Sequence, residues 1–330
     1  MEAVSHSKYG TPNVLALVNI PTPTPGARDV LVKIMATSVT PVDTVFRSGR
    51  SILARLFTGL FRPKNQILGT ELSGVIETIG KNVTRFSPGD RVFAAAPGGF
   101  GAHAQYICMP QNAAITQMPD LMGFEVAAVI ENGALTALPF LRDAAKLQRG
   151  QKILIIGASG SIGTYAVQLA AGIGAKVTGV CSTTNLEMVR DLGATQVIDY
   201  TKSDFTKSSQ TYDVIFDTVG KSSFGKCCAS LAKNGIFITT VPDPATILSP
   251  LFRVFLGGKR AKMMATGLRK DADKIKDMDA LKTLVVEGKL IPVIDRSYPL
   301  DQIVTAHHYV EKGHKCGNLV INISHSKPNF

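Results

Sequence analysis

The stretch Lys152-Ile-Leu-Ile-Ile-Gly-Ala-Ser-Gly-Ser-Ile-Gly-Thr-Tyr-Ala-Val-Gln-Leu-Ala170 decides the fold. A short apolar run enters Gly157-x-x-Gly160-x-x-Gly163, and a helical apolar period follows at once. A strand that stops at a glycine-rich turn and starts a helix aims free backbone N–H groups at one point. The positive end of the helix dipole lies there too, so the point attracts a pyrophosphate. The glycines allow tight turning, close approach of backbone to phosphate, and close helix–strand packing. Gly157, Ser159, Gly160, Ser161, Ile162 and Gly163 are therefore candidate cofactor contacts. A triple glycine alone also suits an ordinary strand–turn–helix, so the flanking sequence has to decide.

It repeats the pattern. Lys176–Cys181 reads as a second strand, about 20 residues after the glycines, where a ribose-reading residue is expected. Ser182, Thr183, Thr184 and Asn185 follow it, with no Asp or Glu to repel a 2′-phosphate or to grip the ribose hydroxyls. Ser182, Thr183 and Asn185 join the candidate cofactor set. Leu186–Leu192, Gln196–Tyr200, Tyr212–Gly220 and Gly235–Val241 continue as alternating helix and strand, and Thr218, Val219 and Val241 at strand ends complete the set. Continuous Val/Ile/Phe strands between helices imply a doubly wound parallel sheet buried on both faces.

A chain of 330 residues has length for two domains. Hydrophobic content of 45% with 18% charge marks a globular chain rather than a disordered one. No apolar run reaches the roughly 18 residues of a bilayer span, and the N-terminus reads as structure rather than as a targeting peptide. Five scattered cysteines without a CxxC pair suit a reducing compartment, hence a cytoplasmic expectation, and offer no zinc framework. The net charge of +11 permits anionic partners. Neither a basic stripe with interleaved aromatics nor a nucleic-acid-binding module is visible, so no nucleic acid is expected.

The first 125 residues have another texture. Val30–Ala36 alternates like a strand, and Thr70–Ile79 and Arg91–Ala95 flank the turn Ser87-Pro-Gly-Asp90. Frequent Gly and Pro between short strands suggest a small twisted β-barrel. Over essentially the whole chain the residues resemble the medium-chain dehydrogenase/reductase superfamily. The resemblance rests on Tyr9-Gly10, Ile20–Pro25, Pro41-Val-Asp43, Gly69-Thr-Glu71, Gly74–Glu77, Gly80, Val83, Phe86–Val92, Leu135-Thr-Ala137 and the glycine motif. The nearest branch is the zinc-free, zeta-crystallin-like quinone oxidoreductases. That resemblance implies a GroES-like β-barrel catalytic domain of residues 1–125 and 265–330. Residues 126–264 would form an inserted Rossmann domain, with substrate in the cleft between the two.

In zinc-dependent members the catalytic metal is held by Cys, His and Cys. The resemblance places those positions at Thr40, Thr70 and Asn132, where hydroxyls and an amide are poor zinc ligands. The four-cysteine structural lobe is missing too, so no metal is expected. The two threonines could also simply pack, and Asn132 could touch substrate or satisfy a buried backbone group. Asp43 matches a cleft-wall residue but also suits a turn cap. His103 could donate a proton or pack, and His307-His308 reads as surface. Thr136 matches a position against the nicotinamide, and Tyr200 one beside the adenosine 2′-phosphate. Where relatives carry a cation, this chain has Thr184 and Asn318, which weakens the preference for the phosphorylated cofactor; with no acid there to select NADH, NADPH is the expected cofactor and NADH is possible.

The resemblance thus implies a zinc-independent NAD(P)H-dependent oxidoreductase passing hydride to a small hydrophobic quinone or α,β-unsaturated carbonyl. Thr40, Thr70 and Asn132 are the candidate donors for the developing oxyanion. Alternatives are an NAD(P)-dependent alcohol dehydrogenase, or a dinucleotide-binding protein without turnover. A homodimer is expected by resemblance, through the strand-like Arg260–Ala265. Last, Ile52, Leu53, Leu56, Phe57, Leu60 and Phe61 recur at helical spacing among Arg47, Arg50, Arg55, Arg62 and Lys64. This segment reads as a lid over an apolar substrate, a short packed surface helix, or an interfacial membrane helix.

Overall fold

The computed structural model describes residues 1–241 and 258–325, the side chain of Leu53 excepted. Two compact units are present: Met1–Asn132 with Lys270–Val286 and the chain from Ile294 onward, and Gly133–Arg269 with Glu287–Val293.

The first unit opens with β1 (Glu2–Ser5) and β2 (Ala16–Asn19), an antiparallel pair. The long strand β3 (Asp29–Ser38) then leads into α1 (Pro41–Ser48) and the short α2 (Ile52–Thr58). Next come β4 (Glu71–Ile79), β5 (Arg91–Ala95), β6 (Tyr106–Pro110), β7 (Ile115–Gln117) and α3 (Phe124–Ala127), and α4 (Ile130–Pro139) carries the chain into the second unit. The strands at Glu71–Ile79 and Arg91–Ala95 match the expected pair around Ser87–Asp90 to within a residue.

The second unit runs β8 (Lys152–Ile156), α5 (Ser161–Ile173), β9 (Lys176–Cys181), α6 (Leu186–Asp191), β10 (Gln196–Asp199) and β11 (Tyr212–Asp217). Helix α7 (Phe224–Cys227), β12 (Leu231–Thr239) and β13 (Arg260–Met263) complete it. The chain then returns to the first unit as α8 (Asp271–Val286), β14 (Ile294–Pro299), α9 (Ile303–Glu311) and β15 (Asn318–Asn322).

In the first unit the sheet order is β14-β15-β3-β4-β5-β7, with β6 also paired to β3. All pairings are antiparallel except β14 with β15. Val30, Val32, Ile34, Leu72, Ile76 and Val92 are buried in one core, because alternate positions of these strands face it. The second unit has one parallel sheet, β10-β9-β8-β11-β12-β13. Ile153, Leu154, Ile155 and Ile156 of β8 are all buried, as a strand covered on both faces requires. The strand expected at Arg260–Ala265 is present as β13, at the edge of this sheet among the described residues.

Two sequence expectations are corrected. His307, read as surface, is fully buried on α9, while its neighbour His308 is exposed. The cause is helical phase: Ile303, Ala306, His307 and Val310 form the inward stripe. The helical run Phe124–Ala145 also reaches the length and hydropathy of a membrane span, although no such run was expected. Most of it is buried by the rest of the chain, the position of a core helix.

Candidate functional site

In the second unit, the turn after β8 is fixed by backbone geometry. The amides of Gly157 and Ala158 donate to Val180 O at 3.1 and 3.0 Å, which ties the turn to the end of β9. Gly157 has φ +78°, and a Cβ there would meet the Val219 side chain at 2.6 Å. At Gly163 a Cβ would lie 2.0 Å from Gly157 O, so helix and strand close to a distance that only hydrogen permits. Gly160 caps α5 without a side-chain partner, and helix geometry leaves the first-turn amides, Ile162 and Gly163 among them, without intrahelical acceptors. The donor set and the dipole fit a pyrophosphate.

Some of the remaining cofactor candidates touch this turn, and others lie apart from it. Thr218 Oγ1 donates to Ile156 O at 2.9 Å and approaches Gly157 O at 3.3 Å, clamping the turn from β11. Val219 and Val241 are half-exposed beyond the strand ends, with Val241 against Gly220. Asn185 Nδ2 donates to Ser159 Oγ at 3.1 Å and Ser182 Oγ at 3.3 Å, joining the end of β9 to the glycine turn. Thr136 Oγ1 lies 3.4 Å from Thr266 Oγ1. Tyr200 stands just past β10, its side chain largely exposed and its amide bonded to Cys181 O.

One reading of this corner is overturned. The end of β9 carries no acid of its own, but β10 brings one: Asp199 pairs in register with Cys181. Its carboxylate accepts from Thr183 Oγ1 at 2.5 Å and Thr201 Oγ1 at 2.7 Å. The hydroxyl donated by Thr183 and the hydroxyl and amide of Thr201 hold Asp199 below the usual carboxylate range. Lys202 Nζ stands 3.7 Å from it, an exposed cation that sequence reading did not single out. Acid and base arrive here from a neighbouring strand, so no spacing within the β9 segment could reveal them.

In the first unit, Thr40 caps α1. Its amide and hydroxyl donate to Asp43 Oδ2 at 2.8 and 2.7 Å, and Asp43 N–H donates back to Thr40 Oγ1. Asp43 Oδ1 also accepts the Gly69 amide at 3.0 Å. Of the two roles open to Asp43, capping is the one seen. The hydroxyl of Thr40 thus donates within the cap. Thr70 Oγ1 is buried with no hydrogen-bond partner among the described residues. Asn132 reaches the site through its backbone, whose N–H donates to Glu71 Oε2 at 2.7 Å.

Glu71, quoted above only as part of a motif, is the centre of this region. It is fully buried, and Ser38 Oγ donates to its other oxygen. His103 Nε2 in turn donates to Ser38 O at 2.9 Å, so His103 is packed, although its Nδ1 has no partner among the described residues. Burial pushes the Glu71 carboxyl up to about 8, with Glu131 and Asp43 adding repulsion against the bonds from Asn132 and Ser38. Glu131 is pushed up as well, by burial, with Lys274 opposing. Burial lowers the Lys315 ammonium to about 8 despite the charges of Glu71 and Asp295. A carboxyl group held protonated near neutrality is a proton store.

The donor set does not fit zinc. One hydroxyl is committed to Asp43, the second is a lone threonine, and Asn132 offers its backbone to Glu71. None is a thiolate or an imidazole.

Residues 26–120 match the alcohol dehydrogenase GroES-like domain, and residues 192–321 match a family described as zinc-binding dehydrogenase. The chain is 31% identical to the mitochondrial NAD(P)H oxidoreductase RTN4IP1 of Mus musculus, over 89% of this chain and 82% of that protein. It is 30% identical to the chloroplast envelope quinone oxidoreductase homolog of Arabidopsis thaliana, over 97% of this chain and 98% of that one. A mycobacterial protein solved in complex with NADPH superimposes with a TM-score of 0.85 at 25% identity, covering 98% of this chain and 100% of that one. The parallel sheet of the second unit is therefore of Rossmann type. With its glycine turn, its GroES-like portion and these relatives, the chain belongs to the medium-chain dehydrogenase/reductase superfamily, in its quinone oxidoreductase group of oxidoreductases.

Proposed function

We propose that this chain is an NAD(P)H-dependent reductase that works without zinc and passes hydride to a quinone or an α,β-unsaturated carbonyl. The observation that carries the reading is the unpartnered, buried hydroxyl of Thr70 at a position where zinc-dependent members place a metal ligand. When bound, the nicotinamide supplies a hydride from its C4. Thr70 holds the oxygen that gains charge, through one neutral hydrogen bond. Such a donor suits an enolate or hydroquinone anion, whose charge is delocalised, better than a localised alkoxide that would call for a Lewis acid. Thr40 positions Asp43 and α1 rather than touching substrate. Glu71, Ser38 and the Asn132 amide form the polar wall behind, and the proton that completes the product comes from water or from this wall.

The cofactor is NADPH, with NADH accepted. The glycine turn and the first turn of α5 take the pyrophosphate, while Ser182, Thr183, Asn185, Tyr200 and Lys202 surround the adenosine end. Thr136, Val219 and Val241 belong to the nicotinamide side. The chain assembles as a homodimer by adding β13 of one copy to β13 of another, since that strand is an edge among the described residues. Its compartment is the cytoplasm, whose reducing conditions suit five scattered cysteines. The two curated relatives named above are mitochondrial and chloroplast proteins by name.

The test is oxidation of NADPH by 9,10-phenanthrenequinone in EDTA. Turnover should persist in the wild type, and Thr70→Val should lower kcat by about 100-fold, the usual loss of one oxyanion donor. Thr40→Val should leave kcat within a few-fold while costing about 1 kcal/mol of stability as a lost cap. One tightly bound zinc per chain, or equal kcat losses in the two variants, would defeat the reading.

A further inference from the structure

Between Asp43 and Glu71 the chain carries no acidic residue but five basic ones, Arg47, Arg50, Arg55, Arg62 and Lys64. Two of these are engaged at the base of the segment. Arg47 is buried and paired with Glu311, and Arg55 donates to Gly49 O at 2.6 Å while its guanidinium lies 4.9 Å from the centre of the Tyr9 ring. Arg50, Arg62 and Lys64 are exposed and form no ion pair among the described residues.

Helix α2 is fastened by its small residues. Ala54 and Thr58 are buried, and Thr58 Oγ1 lies 2.7 Å from the Tyr9 hydroxyl. The loop after it is closed by Lys64 N–H on Thr58 O at 2.7 Å. That attachment turns the large side chains outward: Phe57 is 70% and Phe61 86% exposed, and Ile52, Leu56 and Leu60 are mostly exposed as well. Five large apolar side chains in ten residues, left open, are more than scattered surface hydrophobics.

We propose that this patch docks the protein on an anionic phospholipid surface. Apolar side chains with basic flanks and no acids are what an interfacial segment needs: the rings enter the headgroup–acyl boundary, and the cations stay at the phosphates. A second copy of the chain is a poorer occupant. A two-fold contact would set Arg50, Arg62 and Lys64 against the same residues of the other copy, with no acid in the segment to compensate. The proposal is independent of the redox chemistry argued above, since vesicle binding is read without turnover.

The chain has no tryptophan, so Phe61→Trp gives a fluorescence reporter without background. Vesicles of phosphatidylcholine mixed with phosphatidylglycerol should shift its emission to the blue and sediment the full-length protein, and salt should weaken both effects. Three basic residues should make binding about 100-fold tighter than to phosphatidylcholine alone, at about fivefold each. Phe57→Asp/Phe61→Asp and Arg50→Glu/Arg62→Glu/Lys64→Glu should each abolish sedimentation while NADPH binding, the measure of folding, persists. The proposal is overturned by an unshifted emission with no sedimentation, or by sedimentation that ignores the charge reversal. It is equally overturned by a dimer in light scattering that Phe57→Asp/Phe61→Asp converts to monomer, or by an acidic helical peptide that shifts the emission of the Phe61→Trp reporter when vesicles do not.

Discussion

The candidate sites of the two units are built in opposite ways. The second presents backbone: amides at the start of α5 and glycines that admit no Cβ, all within seven residues of sequence. The first is centred on side chains drawn from far apart, since Ser38 and Glu71 meet the backbone N–H of Asn132 across 94 residues. A backbone site is built by local geometry and leaves a spacing in the sequence. A side-chain site is built by strand pairing and leaves none.

The sharpest way to break this contrast is Gly163→Val. Its Cβ would fall 2.0 Å from Gly157 O, and backbone on both sides cannot yield without opening the turn. Affinity for both NADPH and NADH should drop by about 100-fold or more, the loss of about two charge-assisted contacts. Calorimetric titration measures it, with circular dichroism to check folding. Near-normal binding by a folded variant would mean the turn is not the phosphate site.

How much was legible follows from the same contrast. Strands at Glu71–Ile79, Arg91–Ala95 and Lys152–Ile156 were readable because period and punctuation are local. His307 reads as surface only when the two adjacent histidines are taken together, whereas helical phase turns one of them inward. Thr40 reads as a substrate donor from the resemblance alone, and its bond to Asp43 three residues on is visible only in the geometry. Glu71 does carry a signal, the lone acid inside Leu68-Gly-Thr-Glu-Leu-Ser-Gly74: an acid among strand residues must find buried partners.

The Glu71 network can be tested through pH. Burial raises its carboxyl, so between the ordinary carboxylate range and about 8 the folded chain keeps a proton that the unfolded chain has released. Stability therefore falls as pH rises through that window, by at most about 1.4 kcal/mol per pH unit for one proton. Glu71→Gln can still donate to Ser38 and accept from the Asn132 amide, and it removes the titration. Urea melts from pH 5 to pH 8 should show a flatter slope in the variant, with the difference greatest at the alkaline end. Glu131, also raised, keeps part of the slope. An unchanged slope would show that Glu71 ionises in the folded chain as it does in water.

The smallest effect lies where the contrast blurs, because the adenosine corner of the second unit is itself built of side chains from two strands. Asp199 is committed to Thr183 and Thr201, so its charge is partly spent, and Lys202 at 3.7 Å offsets more of it. A 2′-phosphate brought to this corner meets the lysine; a 2′-hydroxyl has less need of it. Exposed charge pairs are worth up to about 1 kcal/mol, so Lys202→Ala should weaken NADPH about fivefold and leave NADH within a factor of about two. The comparison of two dissociation constants in one variant cancels any general loss of folding. Equal weakening of both cofactors would place Lys202 away from the 2′ position, and the selectivity of the site would then rest on Ser182, Asn185 and Tyr200 alone.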